Sequence, residues 1–307
     1  MPLDFKDFAS ISLSTYNLDD LNIDDKKAIK ALSSDIQKQV ITFNKRAVKE
    51  IRCKKFKIKN TLPYHYSEKI FQLDKKKRLI CGIRHLNLNP EEPFLQILTN
   101  FKTSKKELLK IYKNTLQKHF AVFNPKFIQI HHHRPIKENI NASCFYVQHA
   151  SVIQKLPNLS KSNKIELINP SNDDYYKWYV KGYKKFHKEN PKLATKVPMN
   201  EKDLMESSRK EGLLKLARYN GQIIGLIAAN RDSFLGMPGI YFLEIFIDEK
   251  FKGKGLGKSL QRTFIKDCCS KNEIVWGTID FANKPSVKTA LANKRKLIRA
   301  EQLIQIK

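Results

Sequence analysis

Phe251-Lys252-Gly253-Lys254-Gly255-Leu256-Gly257-Lys258 places three of the chain's eleven glycines within five residues, with lysines between them. Glycine lets successive backbone N–H groups turn toward one point and lets a ligand approach the main chain closely. At a helix N-terminus, such N–H groups and the helix dipole suit a phosphate or pyrophosphate. Lys252, Lys254 and Lys258 add positive charge at the rim. Spacing sets aside two well-known phosphate loops. A G-x-x-x-x-G-K-[ST] loop ending in Gly257-Lys258-Ser259 requires glycine at 252, which is Lys252. The G-x-G-x-x-G fingerprint requires glycine at 258, which is Lys258.

Glu244, upstream of the loop on a predicted central strand, is the candidate general base. Burial would raise its pKa toward neutrality, as a general base requires. Pairing with one of the many lysines would make it purely structural, and both readings stay open. His131-His132-His133 sets imidazoles 131 and 133 on one strand face, but no third ligand stands at a metal-site spacing, so no metal is expected. The five cysteines are odd in number and lack C-x-x-C. That pattern suits a reducing, cytoplasmic setting with neither a disulfide framework nor a zinc site. Asp4 and Asp7 interrupt any secretory h-region, and no apolar run approaches the ~20 residues of a membrane span.

The window Lys252-Gly253-Lys254-Gly255-Leu256-Gly257 resembles the [Q/R]-x-x-G-x-[G/A] loop of the GNAT superfamily of acyl-CoA N-acyltransferases, with Lys252 where Gln or Arg is usual. Ile245-Phe246-Ile247-Asp248 resembles that family's pantetheine-binding strand, and Asn283-Lys284-Pro285-Ser286 its N-x-x-[S/A] segment. The resemblance covers about 164–307. It implies acetyl-CoA as co-substrate, with pyrophosphate on the N–H groups from Gly253 to Lys258, through Leu256 and Gly257. It also implies pantetheine paired with the backbone of Ile245, Phe246 and Ile247. A deprotonated primary amine would attack the thioester, and a main-chain N–H near Phe246 or Ile247 would stabilise the oxyanion. Asn283 and Ser286 would border the coenzyme. The tyrosine that family members often carry seven residues after the Asn, to protonate the thiolate, is Ala290 here, which leaves Ser286 or water as donor. Asn293-Lys294-Arg295-Lys296 replaces the usual G-F close.

The elements that must position these groups are legible as periodicities. In the first half a helix is predicted over 24–56, a hairpin over 69–88 and strands at 94–98, 127–133 and 143–148, with a helix capped by Ser104. The second half reads as a strand at 165–168, an aromatic helix over 172–187 that is core and groove wall, and a helix near 202–210. A hairpin turning at Asn220-Gly221, a strand at 240–247, a helix at 256–269, a strand at 273–279, a helix at 285–293 and a closing strand at 298–306 follow. Phe94-Leu95-Gln96-Ile97 and Phe242-Leu243-Glu244-Ile245 match at an offset of 148 residues. The expected fold class is therefore α/β (α+β), a tandem GNAT-like fold with a mixed, mainly antiparallel sheet flanked by helices in each domain. Its expected divisions are a degenerate domain 1–155, a linker 156–163 and a GNAT domain 164–307. Lys102-Thr103-Ser104-Lys105 stands where the first copy would need its glycine loop.

Net charge is +28, shared as +16 over 1–163 and +12 over 164–307. Such a field attracts anions and disfavours polycationic substrates at long range, unless Asp173, Asp174, Glu201, Asp203 and Glu206 gather at the acceptor mouth. Nucleic acid is not favoured as a partner, because no stretch interleaves aromatics with the basic residues. Two alternatives to an acetyltransferase stay open: a catalytically impaired or aminoacyl-type tandem GNAT, and a basic nucleic-acid- or ribosome-associated binding protein.

Overall fold

The computed structural model describes residues 4–137 and 139–306. In chain order the first elements are α1 (Lys6–Leu13), α2 (Asp25–Asn44), α3 (Arg46–Phe56), β1 (Lys69–Gln72), β2 (Arg78–His85), β3 (Pro93–Thr99), α4 (Lys105–Ile111), α5 (Gln117–Phe120) and β4 (Phe127–His132). Then come β5 (Ile140–His149), α6 (Ala150–Gln154), β6 (Ile165–Ile168), α7 (Tyr175–Glu189), α8 (Pro191–Ala194), α9 (Lys202–Lys210), β7 (Leu214–Tyr219) and β8 (Gln222–Arg231). The chain closes with β9 (Gly239–Ile247), α10 (Leu256–Cys268), β10 (Ile274–Asp280), α11 (Lys284–Ala292) and β11 (Lys296–Gln305).

Two compact units form. One comprises Met1–Ala142 with Arg299–Lys307, the other Ser143–Ile298. The first unit's strands lie in the order β1-β2-β3-β4-β11, the second's in the order β5-β10-β9-β8-β7-β6. Among the described pairings only β3 with β4 and β9 with β10 are parallel. Each unit thus has an antiparallel hairpin, a parallel neighbour and an antiparallel closing strand, as a repeat requires. The closing strands differ from expectation. The strand at 143–148 belongs to the second unit, pairing with β10, and residues 300–305 of the last strand pair with β4 in the first. Periodicity identifies a strand but not its non-local neighbour, so the sequence could not show this trade.

Local chemistry explains most element ends. Ser104 Oγ accepts from Glu107 N–H at 3.2 Å and caps α4. Asn220 and Gly221 both have positive φ (49° and 79°), the tight-hairpin geometry that Asn-Gly favours. The helix expected over 24–56 is two helices, because Lys45 leaves helical geometry with ψ 136°. α1 was not anticipated; it buries Phe8 and Ala9 against Ile36 and Ile80.

The second unit's sheet carries different apolar layers on its two faces. Leu256, Leu260 and Phe264 of α10, spaced four apart, pack with Ile227, Ile240, Phe242 and Val275. Burying a side chain such as Phe264 contributes about 1.5–3 kcal/mol. On the other face, Tyr175, Tyr179 and Tyr183 of α7 pack with Leu226, Ala228 and Phe246. The first unit has its own core, in which Leu79, Ile83, Leu95 and Ile128 meet Leu108, Leu116 and Phe120.

Candidate active site

β9 sets up the site through one irregularity. Its register against β8 shifts between Ala228, opposite Glu244, and Ala229, opposite Phe242, so Leu243 is an extra residue. Before the bulge, Ile240 and Phe242 face the α10 layer. After it, Ile245 and Ile247 face that layer, while Phe246 joins the tyrosines of α7. One inserted residue inverts the strand's parity and delivers Glu244 to the tyrosine face.

There Glu244 is 8% exposed. Its Oε2 accepts from Tyr179 Oη at 2.5 Å, Tyr183 Oη at 2.7 Å and Asn200 Nδ2 at 3.1 Å, and its Oε1 accepts from Ile245 N–H at 3.0 Å. Asn200 N–H donates to Tyr179 Oη at 3.0 Å, which locks the clamp. Burial raises the Glu244 pKa, the four donors pull it down, and the net direction is upward. Both phenols are shifted upward by burial and then by the Glu244 charge. They therefore remain protonated donors.

The close approach of α7 needs Gly182. A glycine inside a helix costs about 1 kcal/mol relative to alanine. A Cβ at 182, however, would lie 2.3 Å from Phe246 Cζ. The flanking turns then place Tyr179 and Tyr183 over the carboxylate. In the sequence these tyrosines have the pattern of core and groove wall. Their spacing of four, opposite a strand carboxylate, was the signal available; Asn200 offered none.

β9 and β10 pair only at Gly239, Ile240 and Tyr241 with Ile274, Val275 and Trp276. Beyond Tyr241 this parallel pairing stops, although β9 runs to Ile247 and β10 to Asp280. Ile245, Phe246 and Ile247 lie on that parted stretch. The glycine loop follows it: Gly253 and Gly255 adopt φ of 73°, where an L side chain is strained, and Gly255 caps α10 without a side chain. Gly257 lies in the first turn of α10, where a Cβ would make only ordinary contacts, the nearest being Thr289 Oγ1 at 3.5 Å. Lys254 Nζ donates to Lys250 O at 3.0 Å, Lys252 Nζ meets Glu249 Oε2 at 2.6 Å, and Lys258 borders a cleft of about 370 Å³.

Asn283 Oδ1 caps α11 by accepting from Ser286 N–H at 3.4 Å, and Ala290 is fully buried. In place of a G-F close, Asn293 Oδ1 accepts from Arg262 Nε at 2.9 Å. Buried Arg295 donates to Tyr146 O at 2.8 Å and stands over the Phe242 ring. Lys294 between them has φ 58°. Two of the five acidic residues are paired with basic side chains of α9, while Asp174, Glu201 and Asp203 are exposed. Asp173 pairs with Arg209 at 2.8 Å, Glu206 with Lys210 at 2.7 Å, and Asp174 bonds Asn172, while Glu201 and Asp203 lie near Tyr176 and help raise its phenol after burial. Among the described residues no group of three His, Cys, Asp or Glu is placed to hold a metal, and no helix is long and apolar enough to cross a membrane.

The second unit thus combines a helix-flanked sheet, two neighbouring parallel strands whose pairing stops partway, and a glycine loop that leads into a helix. Residues 172–291, within the second unit, match the model of the acetyltransferase (GNAT) family. Among solved structures, the chain is similar to an acetyltransferase of the GNAT family from Colwellia psychrerythraea, with 11% identity, a TM-score of 0.51 and coverage of 84% of this chain and 95% of that one. It is also similar to a tandem GNAT protein from the clavulanic acid biosynthesis pathway, with 9% identity, a TM-score of 0.44 and coverage of 75% and 79%. No curated protein matches the chain in sequence.

Proposed function

We propose that the second unit transfers an acyl group, acetyl by default, from acyl-CoA to a primary amine by direct attack. The observation that carries this reading is the parting of β9 from β10 beside the glycine loop. In the parted stretch the pantetheine arm takes the place of a strand along Ile245, Phe246 and Ile247, and N–H groups from Gly253 to Lys258 hold the pyrophosphate. Asn283 and Ser286 border the coenzyme at the start of α11. Glu244 is the base. Three donors clamp its Oε2, whereas Oε1 accepts a single backbone N–H and keeps a lone pair for the amine's proton, taken directly or through water. A main-chain N–H near Phe246 or Ile247 stabilises the oxyanion. With Ala290 in place of a tyrosine, Ser286 or water protonates the thiolate, whose modest pKa makes a strong acid unnecessary.

The first unit is read as degenerate. Gln96, the counterpart of Glu244, pairs with Gln39 at 3.2 Å, and its loop caps α4 with Ser104 rather than with glycine N–H groups. The proposed setting is the cytoplasm, where thiols such as the buried Cys81 and Cys144 stay reduced. The test is free-thiol release from acetyl-CoA with a panel of small amines and peptides. Glu244→Gln keeps the shape of the clamp and should lower kcat by 10²-fold or more with little change in coenzyme affinity. Turnover equal to wild type would remove Glu244 as the base.

A further inference from the structure

Within the expected linker 156–163, residues 156–162 form a strap fixed along α10. Arg262, 4% exposed, donates through Nη1 to Pro157 O at 2.7 Å. Lys266 Nζ donates to Leu156 O at 2.9 Å and Asn158 Oδ1 at 2.6 Å. At the far end Lys161 Nζ donates to Lys254 O at 2.5 Å, inside the glycine loop, and the neighbouring Ser162 is only 6% exposed. The last turn of the strap is thereby held against the loop.

Leu159, Ser160 and Lys161 form one wall of the cleft of about 370 Å³ whose other wall is Gly253, Gly255, Lys258 and Ser259. A second cleft of about 340 Å³ shares Lys161 and Lys254 and continues past Phe251 to Gln222. Three ammonium groups, Lys161, Lys254 and Lys258, line the first cleft, and no carboxylate lines either one. Lys161 and Lys254 donate to main-chain carbonyls, which satisfy a donor without cancelling its charge. Like charges gathered from two separate segments of chain, over a loop whose N–H groups lack side-chain caps, make a concave cationic site.

We infer that the strap is part of the coenzyme site, with Lys161 a phosphate-binding residue that exchanges the Lys254 carbonyl for a phosphate oxygen when the ligand enters. This rests on the acyl-CoA reading. The ligand chemistry is a pyrophosphate or an equivalent pair of phosphates, and the acyl end plays no part in it.

The experiment is calorimetric titration of coenzyme A, pantetheine and inorganic pyrophosphate into the full chain, its Lys161→Met and Lys161→Arg variants, and Gly255→Asp. Lys161→Met should weaken coenzyme A and pyrophosphate about tenfold, as for loss of one charged hydrogen bond. Pantetheine binding should stay unchanged, and Lys161→Arg should restore most of the affinity. If Lys161→Met binds both phosphate ligands as tightly as wild type while Gly255→Asp loses them, the strap is not part of the site. Lys161-dependent binding of pyrophosphate without binding of coenzyme A would keep the anion site and overturn the acyl-CoA reading. Binding of neither by the wild-type chain would overturn both.

Discussion

Tyr183→Phe should move the acid limb of the pH–rate profile upward. The Tyr183 hydroxyl donates to Glu244 Oε2 at 2.7 Å in a site where the carboxylate is 8% exposed. A hydrogen bond to a charged group contributes about 1.5–3 kcal/mol, and one pKa unit is worth about 1.4 kcal/mol. Loss of this donor removes stabilisation from the ionised form only. Tyr179 and Asn200 still hold the same oxygen and can tighten, so the lower end applies, a rise of roughly one unit. The base then stays protonated to higher pH. The assay is kcat/KM for thiol release from acetyl-CoA between pH 5 and 9, with Tyr175→Phe as control, since Tyr175 lies on the same stripe but does not bond Glu244. An acid limb in Tyr183→Phe that coincides with wild type, or moves to lower pH, would refute the clamp as the group that sets the base.

Stability should carry the same signature. Because the folded pKa of Glu244 lies above the ordinary carboxylate value, wild-type Tm should fall as pH rises from that value through the folded pKa, and Glu244→Gln should flatten this part of the curve. In the first unit, Gly82→Ala would place a Cβ 2.0 Å from Glu68 Oε1, whose carboxylate is buried and paired with Arg84 at 2.7 Å. A loss of about 2–3 kcal/mol is expected by urea unfolding, and a change within 0.5 kcal/mol would contradict that packing. Lys294→Gly relieves a left-handed backbone at a non-glycine residue and should stabilise by up to about 1 kcal/mol, read as a higher Tm.

The parts of the site carried by local chemistry were legible. Gly253 and Gly255 announce positive φ by their identity, Asn220-Gly221 announces its turn, and Glu244 stands out as a carboxylate in an apolar strand. What depended on distant partners was not. Nothing in Phe242-Leu243-Glu244 marks Leu243 as the bulged residue, because the bulge exists only in register against Ala228 and Ala229. Tyr179 and Tyr183 read as a core stripe, since their acceptor lies more than sixty residues away and two of its neighbours on the strand are equally apolar. The strap at 156–162 has a loop's composition, and only the carbonyls that meet Arg262, Lys266 and Lys161 show that it is fixed. The traded closing strands follow from sheet order, which hydrophobic alternation does not encode.

The central claim is that the glycine loop and the parted strands hold a coenzyme. Thermal unfolding of the wild-type chain with and without acetyl-CoA tests it most directly. At a ligand concentration one hundred times Kd, binding adds about 2.7 kcal/mol to stability and raises Tm by several degrees. Gly255→Asp puts an anion into the phosphate cradle and forces an L side chain onto φ 73°, so it should abolish the rise. A rise of the same size in wild type and Gly255→Asp, or no rise in wild type, would contradict the account.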